Sequence, residues 1–407
     1  MIAERNVFVT LGISNFSALH IETFECIYTK RARKTMVKNY GKNKNRGRRT
    51  LEKNKNKGIN VFQKYLTLWV LFCMIIGVLI GKYIPIIPSA LGKMQIAGIS
   101  VPIAILIWIM IYPMMMKVDF QSIKRVRENP KGLFVTWAVN WLIKPFTMFG
   151  IAYLFFFIIF NNIIPNDLAN DYLAGAVLLG AAPCTAMVFV WSTLTKGDPA
   201  YTVVQVATND LIILLAFVPI VKFLLGVSNV VVPYSTLFAS VFLFVAIPLL
   251  GGVITRKTVI DKRGKDYFEK QFLSKFDGMT TVGLLLTLII IFSSQANVIL
   301  ENPFHILLIA IPLTLQTFLI FTIAYCLSKK VALPFEIAAP AGMIGASNFF
   351  ELSVAVAIAI FGIDSPVALA CTVGVLTEVP VMLFLVNIAN NTKHWFLENK
   401  ESKVYGG

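Results

Sequence analysis

The sequence predicts an all-α polytopic membrane protein with ten transmembrane helices, arranged as two inverted five-helix repeats. Composition is the first observation behind this prediction, because 57% of the 407 residues are hydrophobic and only 14% are charged. Soluble domains are usually about 45–50% apolar and about 25% charged. The second observation is the length of the apolar runs, which reach the roughly 20 residues that a helix needs to cross a bilayer. The third is a weak likeness between the two halves of the chain.

The basic residues separate a tail from the membrane part of the chain. The formal net charge is +16, but residues 30–57 hold thirteen Lys or Arg and one acid, and so carry +12 of it. Such a run is typical of a solvated, disordered segment that can touch anionic lipid. No RNA-binding motif accompanies the run, so no nucleic-acid partner is expected. We therefore interpret residues 1–60 as a basic cytoplasmic N-terminal tail.

Apolar windows place the ten predicted spans. They cover residues 63–83, 96–116, 133–160, 172–195, 200–226, 234–255, 278–299, 304–328, 336–361 and 365–390. The loops at 117–132 and 256–276 are rich in Lys and Arg, whereas those at 161–171 and 227–233 contain none. Basic loops stay on the cytoplasmic side of a membrane. We therefore expect a multi-pass protein of the cell membrane with both termini in the cytoplasm, which requires an even number of spans.

The two halves of the chain align at one stretch in each. GAAPCTAM at 180–187 lies over GASNFFEL at 345–352, and a second glycine follows each leading glycine after 17 residues. The two copies lie five spans apart and therefore insert in opposite directions, which is typical of inverted repeats. The predicted domains after the N-terminal tail are the first repeat at 61–226, the second repeat at 234–390 and a cytoplasmic C-terminal tail at 391–407.

Helix-breaking residues fall in the middle of the fourth and ninth spans. Pro183 lacks the N–H that a helix needs, and it is followed at once by Cys184. In the ninth span the corresponding residues are Pro340, Gly342, Gly345 and Asn348. Paired interruptions point to the binding site of a transporter, so we expect Pro183, Cys184 and Asn348 to bind substrate, with the thiol exposed by the opened helix. A simple proline kink is the alternative.

Polar side chains that are rare in bilayers also lie in these spans. They are Lys144, Asn209, Asp210, Glu351 and Glu378. A charge at the bilayer centre costs at least about 2.5–3.5 kcal/mol on insertion scales, so such residues usually face a cavity and act as ion or proton sites. The alternative for the carboxylates is a structural role on the unwound backbone. Lys144 could neutralise Asp210 or a glutamate, or it could mark a break before Pro145 and reach a wet crevice.

The sequence carries no sign of an enzyme, a cofactor or a metal site. The five cysteines are scattered singly, without the paired spacing of a disulfide framework or a structural zinc site. No GxxxxGKS/T loop and no nucleophile with its base appears. We therefore expect a transporter that is not driven by ATP through this chain. Cys73 and Cys371 are interpreted as packing residues.

Three stretches of the sequence resemble the Acr-type arsenite efflux permeases, a family of the bile acid/arsenite/riboflavin transporter superfamily. They are GAAPCTAMVFVWSTLTKGDPAY at 180–201, GASNFFELSVAVAI at 345–358 and GVLTEVPVML at 374–383. The resemblance implies that the broken fourth and ninth helices cross near the midplane. It implies export of trivalent arsenic, and in some members antimonite, in exchange for protons. It also implies that Cys184 is the essential cysteine and Glu351 the essential glutamate, here assigned to proton coupling.

The chemistry of arsenite agrees with one cysteine in the site. Arsenous acid is neutral and its arsenic binds thiols, so a single thiol gives a weak contact that can be released again, as transport requires. Asp210, Asn209, Glu378 and Lys144 would supply supporting polarity. One alternative is a sodium-coupled organic-anion symporter of the same superfamily, in which Asn348, Glu351 and Glu378 bind sodium. Another is a receptor or scaffold in which the basic tail is the working part.

Overall fold

The computed structural model describes residues 66–96, 99–117, 130–185, 187–228, 230, 232–301 and 303–396. The predicted tail at 1–60 lies outside the described residues, as does most of the predicted tail at 391–407. Within the described part the chain is helical, apart from a pair of two-residue antiparallel strands, β1 (Gln95–Ile96) and β2 (Ile99–Ser100). The all-α class predicted from composition is therefore confirmed.

The helices follow one another with short connections. The first half of the chain contains α1 (Leu66–Tyr83), α2 (Ile86–Lys93), α3 (Val101–Met115), α4 (Lys131–Ile159), α5 (Asn166–Gly180), α6 (Val188–Leu194) and α7 (Pro199–Val227). The second half contains α8 (Tyr234–Arg263), α9 (Asp277–Ser294), α10 (Ala296–Glu301), α11 (Pro303–Lys330), α12 (Phe335–Ala346), α13 (Phe350–Phe361) and α14 (Pro366–Asn391). A short helical segment at 265–275 connects α8 to α9.

The predicted spans coincide with these helices. Among the described residues, α4, α7, α8, α11 and α14 are long and apolar enough to cross a membrane. The apolar helices α3, α12 and α13 are shorter, as are the apolar parts of α1 and α9. The fourth predicted span corresponds to α5 with α6, and the ninth to α12 with α13. The chain is thus a multi-pass membrane protein, while the count of ten spans and their inverted order stay predictions.

One predicted loop is partly helical. The fourth span was predicted to begin at 172, after a polar loop at 161–171, but α5 already begins at Asn166. Asp167 lies in the first turn, where a negative side chain is favoured by the helix dipole. Ala169 and Tyr172 are buried on the inner face of this turn. The polar composition of the segment therefore reflects an amphipathic helix start and not a loop.

The interruption of the ninth span lies further along the chain than Pro340 suggested. Helix α12 runs through Pro340 and ends at Ala346, so the prediction is wrong for Pro340, Gly342 and Gly345. The fourth residue of that prediction, Asn348, does lie in the interruption. A proline leaves the carbonyl four residues earlier without its helical partner. Here that carbonyl, on Glu336, accepts a hydrogen bond of 2.8 Å from the Asp198 N–H. The loop between α6 and α7 therefore allows α12 to continue through Pro340.

The helices form two packing groups. In the first, α9 packs against α1 and α3, and α3 also packs against α8. In the second, α5 packs against α4 and α14, α11 packs against α12 and α14, and α6 packs against α12. Both interrupted spans belong to the second group. The two interruptions are therefore held by one set of helices.

Close packing fixes α5 against α14. A Cβ atom on Gly175 would lie 2.6 Å from the Ala370 Cβ and 2.7 Å from the Val367 carbonyl oxygen. The Cys371 Sγ lies 3.5 Å from the Gly175 carbonyl oxygen, to which it donates. Cys371 is thus a packing residue on this contact, as predicted. The glycine allows the two backbones to approach more closely than any other residue would.

Substitution of Gly175 tests this contact. We expect Gly175→Ala to lower the free energy of unfolding by about 1–3 kcal/mol, because an added methyl group would have to push backbone apart in a packed interface. Gly150→Ala in α4 is the matched control, since nothing lies within 4 Å of the position a Cβ would take there. The measurement is thermal unfolding of the two purified variants in detergent. Equal melting temperatures for both would contradict the contact.

Candidate functional site

The two interruptions pair with each other. The first covers residues 181–187 between α5 and α6, and the second covers 347–349 between α12 and α13. Pro183 and Asn348 form an isolated antiparallel β-bridge between them. Extended backbone from each break therefore meets inside the protein. The prediction that Pro183 and Asn348 belong to one place in the fold agrees with this geometry.

Two backbone hydrogen bonds close the bridge. The Cys184 N–H donates to the Ser347 carbonyl at 3.3 Å, and the Phe349 N–H donates to the Ala182 carbonyl at 3.1 Å. Helix ends leave N–H and carbonyl groups without partners, and such groups are tolerated at membrane depth only when protein or a wet cavity satisfies them. Each break thus supplies the partners that the other break lacks.

Cys184 lies at the centre of the pairing, but its thiol is covered. The side chain is 0% exposed and packs with Val188, Tyr201 and Ile344 in an apolar cluster. Its Sγ accepts a hydrogen bond of 3.3 Å from the Met187 N–H. The expectation that the opened helix exposes the thiol is therefore wrong for this conformation, because apolar side chains from α6, α7 and α12 close over it.

Lys144 and Glu378 bind different groups of one residue, Ser347. The Lys144 Nζ donates to the Ser347 carbonyl at 2.6 Å. The Ser347 hydroxyl donates to the Glu378 Oε1 at 2.5 Å, and the Asn348 N–H donates to the Oε2 at 3.2 Å. Lys144 is only 1% exposed and α4 continues past Pro145, so the structure excludes the wet crevice in this conformation. Lys144 instead lies near a glutamate, one of the two possibilities that the sequence left open.

Several buried polar atoms beside the breaks have no hydrogen-bond partner among the described residues. They include both carboxyl oxygens of Glu351 and the Asn348 Oδ1. Glu351 is 1% exposed and lies in the first turn of α13, where the helix dipole favours a negative charge. Buried polar atoms without partners are costly. These atoms are therefore suited to bind a proton or a ligand that the structure does not hold.

Asn209 and Asp210 do not hydrogen bond to either break within the described residues. Asn209 lies on α7 and accepts a hydrogen bond of 3.3 Å from the Trp141 Nε1. Both Asp210 oxygens are buried and without a partner in the described part of the chain. The pairing of Lys144 with Asp210, one of the possibilities that the sequence left open, is not formed, because the Lys144 Nζ binds the Ser347 carbonyl instead. Asn209 and Asp210 both lie on α7, outside the two breaks.

Two residues at this site were missed by sequence reasoning. The Ser347 carbonyl accepts hydrogen bonds from Cys184 and Lys144, and its hydroxyl donates to Glu378. The available signal was the position of Ser347 directly before Asn348 in GASN. Gln316 on α11 donates to the Lys144 carbonyl at 3.1 Å and to the Thr147 Oγ1 at 3.0 Å. A buried amide in an otherwise apolar span was the signal for Gln316. Among the described residues, no group of three or more His, Cys, Asp or Glu side chains could hold a metal ion.

A cavity of about 910 Å³ lies away from the paired breaks. Its lining includes Gly81 in α1, Pro85 after α1, Asp171 in α5, Asn297 in α10 and Asp364 between α13 and α14. None of the predicted site residues lines it. The lining residues lie at helix ends beside the loops that contain few Lys or Arg, so the cavity lies on the side that the charge of the loops predicts to be outside the cell. Burial raises the pKa of Asp364, one of the lining residues, above its usual range.

Paired helix interruptions with buried charges beside them, in a multi-pass membrane protein, define a transporter. Comparison with known proteins agrees. The Sodium Bile acid symporter family matches residues 104–302. An arsenical-resistance protein Acr3 of Alkaliphilus metalliredigens is 64% identical over 342 residues, which are 84% of this chain and 96% of the relative.

Two relatives of lower identity are also named as a transporter or as an arsenical-resistance protein. An uncharacterized transporter of Synechocystis sp. is 44% identical over 84% of this chain and 92% of its own length. An arsenical-resistance protein Acr3 of Corynebacterium glutamicum is 32% identical over 81% of this chain and 88% of its own length. The chain belongs to the Acr3 family of arsenical-resistance proteins. The resemblance inferred from the three motifs is confirmed, and none of these relatives is named as an enzyme.

Substitution of Glu378 tests the contacts around Ser347. We expect Glu378→Gln to lower the free energy of unfolding by about 2–4 kcal/mol, because an amide cannot accept from both donors and the buried Lys144 loses a neighbouring charge. The measurement is thermal unfolding in detergent. Glu336→Gln is the control, since Glu336 is half exposed and pairs with Lys393 at 3.7 Å, a surface ion pair of little energetic value. An equal loss in both variants would contradict the assigned contacts.

Proposed function

We propose that this protein exports trivalent arsenic from the cytoplasm across the cell membrane, in exchange for protons. Cys184 binds arsenite between the two breaks, with Pro183 and Asn348 beside it, and Glu351 carries the proton. The observation that carries the proposal is the position of Cys184, the sole cysteine whose backbone takes part in the described pairing of the breaks. Membership of the Acr3 family supports arsenic as the substrate. Antimonite, which is also thiophilic, is a second substrate on the same chemistry.

The binding step is a ligand exchange at arsenic. Arsenous acid is neutral, so it can enter a site in the bilayer without the cost of burying a charge. The Cys184 thiol forms a bond to arsenic, one hydroxyl of the arsenous acid leaves as water with the thiol proton, and the reverse reaction releases the substrate. The unpartnered Asn348 Oδ1 accepts a hydrogen bond from a remaining hydroxyl. Because only one sulfur binds the arsenic, the substrate can dissociate from the site again.

Glu351 lies close in sequence to the proposed substrate site, and we propose that its protonation changes with the orientation of that site. Its buried carboxyl group has no hydrogen-bond partner in the described structure, and Glu351 follows the bridge residue Asn348 by three residues in the chain. A buried carboxyl group that alternates between protonated and charged forms suits an antiporter, because only one form is compatible with each orientation of the site. Glu378, by contrast, is occupied by the hydrogen bonds to residues 347 and 348. Four polar residues accordingly support the site without contacting arsenic: Asn209, Asp210, Glu378 and Lys144.

The two packing groups support an alternating-access mechanism. The group that holds both breaks would rock against the group of α1, α3, α8 and α9, as in transporters built from inverted repeats. The closed cluster over Cys184 is one state of this movement. The cavity beside Asp171 and Asp364 lies on the predicted outer side and would receive the released substrate. Arsenite enters from the cytoplasm in the opposite state.

Substitution of the cysteine tests the role of the thiol. In everted vesicles from a host that lacks its own arsenite pump, we expect Cys184→Ser to reduce arsenite export at least about tenfold, the change that a loss of 1.4 kcal/mol produces. Cys371→Ser is the matched control, because Cys371 is equally buried but lies on the contact with Gly175. Unchanged export by Cys184→Ser would remove the thiol from the mechanism.

Substitution of the glutamate tests proton coupling. We expect Glu351→Gln to abolish the response of arsenite export to an imposed pH gradient, because glutamine cannot exchange a proton. Glu336→Gln should keep the response, since Glu336 is half exposed and lies outside the site. Export is measured in the same vesicles, with and without collapse of the gradient. A Glu351→Gln variant with the pH response of the parent protein would exclude Glu351 as the carrier.

A further inference from the structure

The ammonium group of Lys144 occupies a position that is typical of a bound cation. It donates at 2.6 Å to the carbonyl of Ser347, which is the C-cap of the half-helix α12. The C-terminal end of a helix carries a partial negative charge. In transporters with broken helices, unwound carbonyls and half-helix C-terminal ends coordinate Na⁺. In this protein the positive charge at the C-terminal end of α12 is that of the Lys144 side chain.

The residues at and beside Ser347 carry oxygen atoms of the kind that hard cations prefer. The Ser347 hydroxyl donates to the Glu378 carboxylate at 2.5 Å. The Asn348 Oδ1 and both Glu351 oxygens lie within the next four residues of the chain, and they have no hydrogen-bond partner among the described residues. The second break has these acidic and amide oxygens together with the lysine. The first break offers Cys184 instead.

Lys144 is held in this position by its own helix. A π-helical turn at Ala138–Ile143 comes directly before it, and its backbone carbonyl accepts the hydrogen bond from Gln316. π-Helical turns inside α-helices are frequent at functional sites. The ammonium of lysine is a compact point charge with three donors on a long stem. It can therefore stand in for a small monovalent cation.

We propose that Lys144 is a tethered cation which takes the place of a coupling sodium ion at the second break. The Sodium Bile acid symporter family matches residues 104–302, a range that contains Lys144. An ammonium group tethered at the half-helix end removes the need for sodium in a chain of this family. The inference rests on the proposed function, because it explains how arsenite export proceeds without sodium.

The test compares cation dependence in the full-length protein. Arsenite export is measured in everted vesicles at a fixed pH gradient, with choline, potassium, lithium or sodium as the added cation. We expect export by the parent protein to be the same in all four media. Lys144→Ala should lose export in choline and regain it at least about tenfold in sodium or lithium, because the cation then fills the vacated site. Lys222→Ala is the control, since Lys222 also binds a backbone carbonyl, that of Val232, but away from the breaks.

A second measurement does not depend on transport. The melting temperature of purified Lys144→Ala should rise with sodium more than with choline, whereas that of the parent protein should respond equally to both. A sodium-specific stabilisation of the parent protein would overturn the inference, whether or not the variant folds. Full export by Lys144→Ala in choline would overturn it too, as would a folded variant that no cation activates or stabilises. Absence of arsenite export by the parent protein would instead refute the proposed function.

Discussion

The pairing of two broken helices is the contact on which the site depends. Neither break can satisfy its own backbone within the bilayer, and the two bonds between 182–184 and 347–349 satisfy both at once. This pairing carries Cys184 and Asn348 on the same bridge. Movement of either break would unpair the other, so the site changes as a unit. That constraint explains why one helix group holds both interruptions.

Each break donates one backbone hydrogen bond to the other, but the charged side chains bind only the second break in the described structure. Ser347 binds Lys144 through its carbonyl and Glu378 through its hydroxyl, whereas no comparable charges bind the backbone of the first break in the described structure. A buried charge is tolerated when hydrogen bonds and an opposite charge accompany it. The second break therefore holds the ionic part of the site and the first break holds the thiol. Under the proposed function, arsenic binds at the first break and the proton binds at Glu351, just after the second break.

The sequence predicted the first interruption because Pro183 lies inside it, and it predicted the helices because apolar runs of membrane length have few alternatives. It predicted the second interruption through Asn348 and the aligned stretch at 345–352, but it wrongly included Pro340, since the carbonyl that Pro340 leaves free is bound by Asp198, a residue distant in sequence. The roles of Ser347 and Lys144 could not be predicted, because they depend on which helices lie side by side. Burial of the Cys184 thiol depends on the conformational state, which composition and spacing do not encode.

We propose that Cys184, at the paired breaks, is the residue that binds arsenic. X-ray absorption at the arsenic K-edge of the purified, arsenite-loaded protein tests it most directly. We predict one sulfur neighbour of arsenic in the parent protein, none in Cys184→Ser, and an unchanged sulfur signal in Cys371→Ser. A sulfur neighbour that persists in Cys184→Ser, or arsenic bound by oxygen alone in the parent protein, would contradict the account.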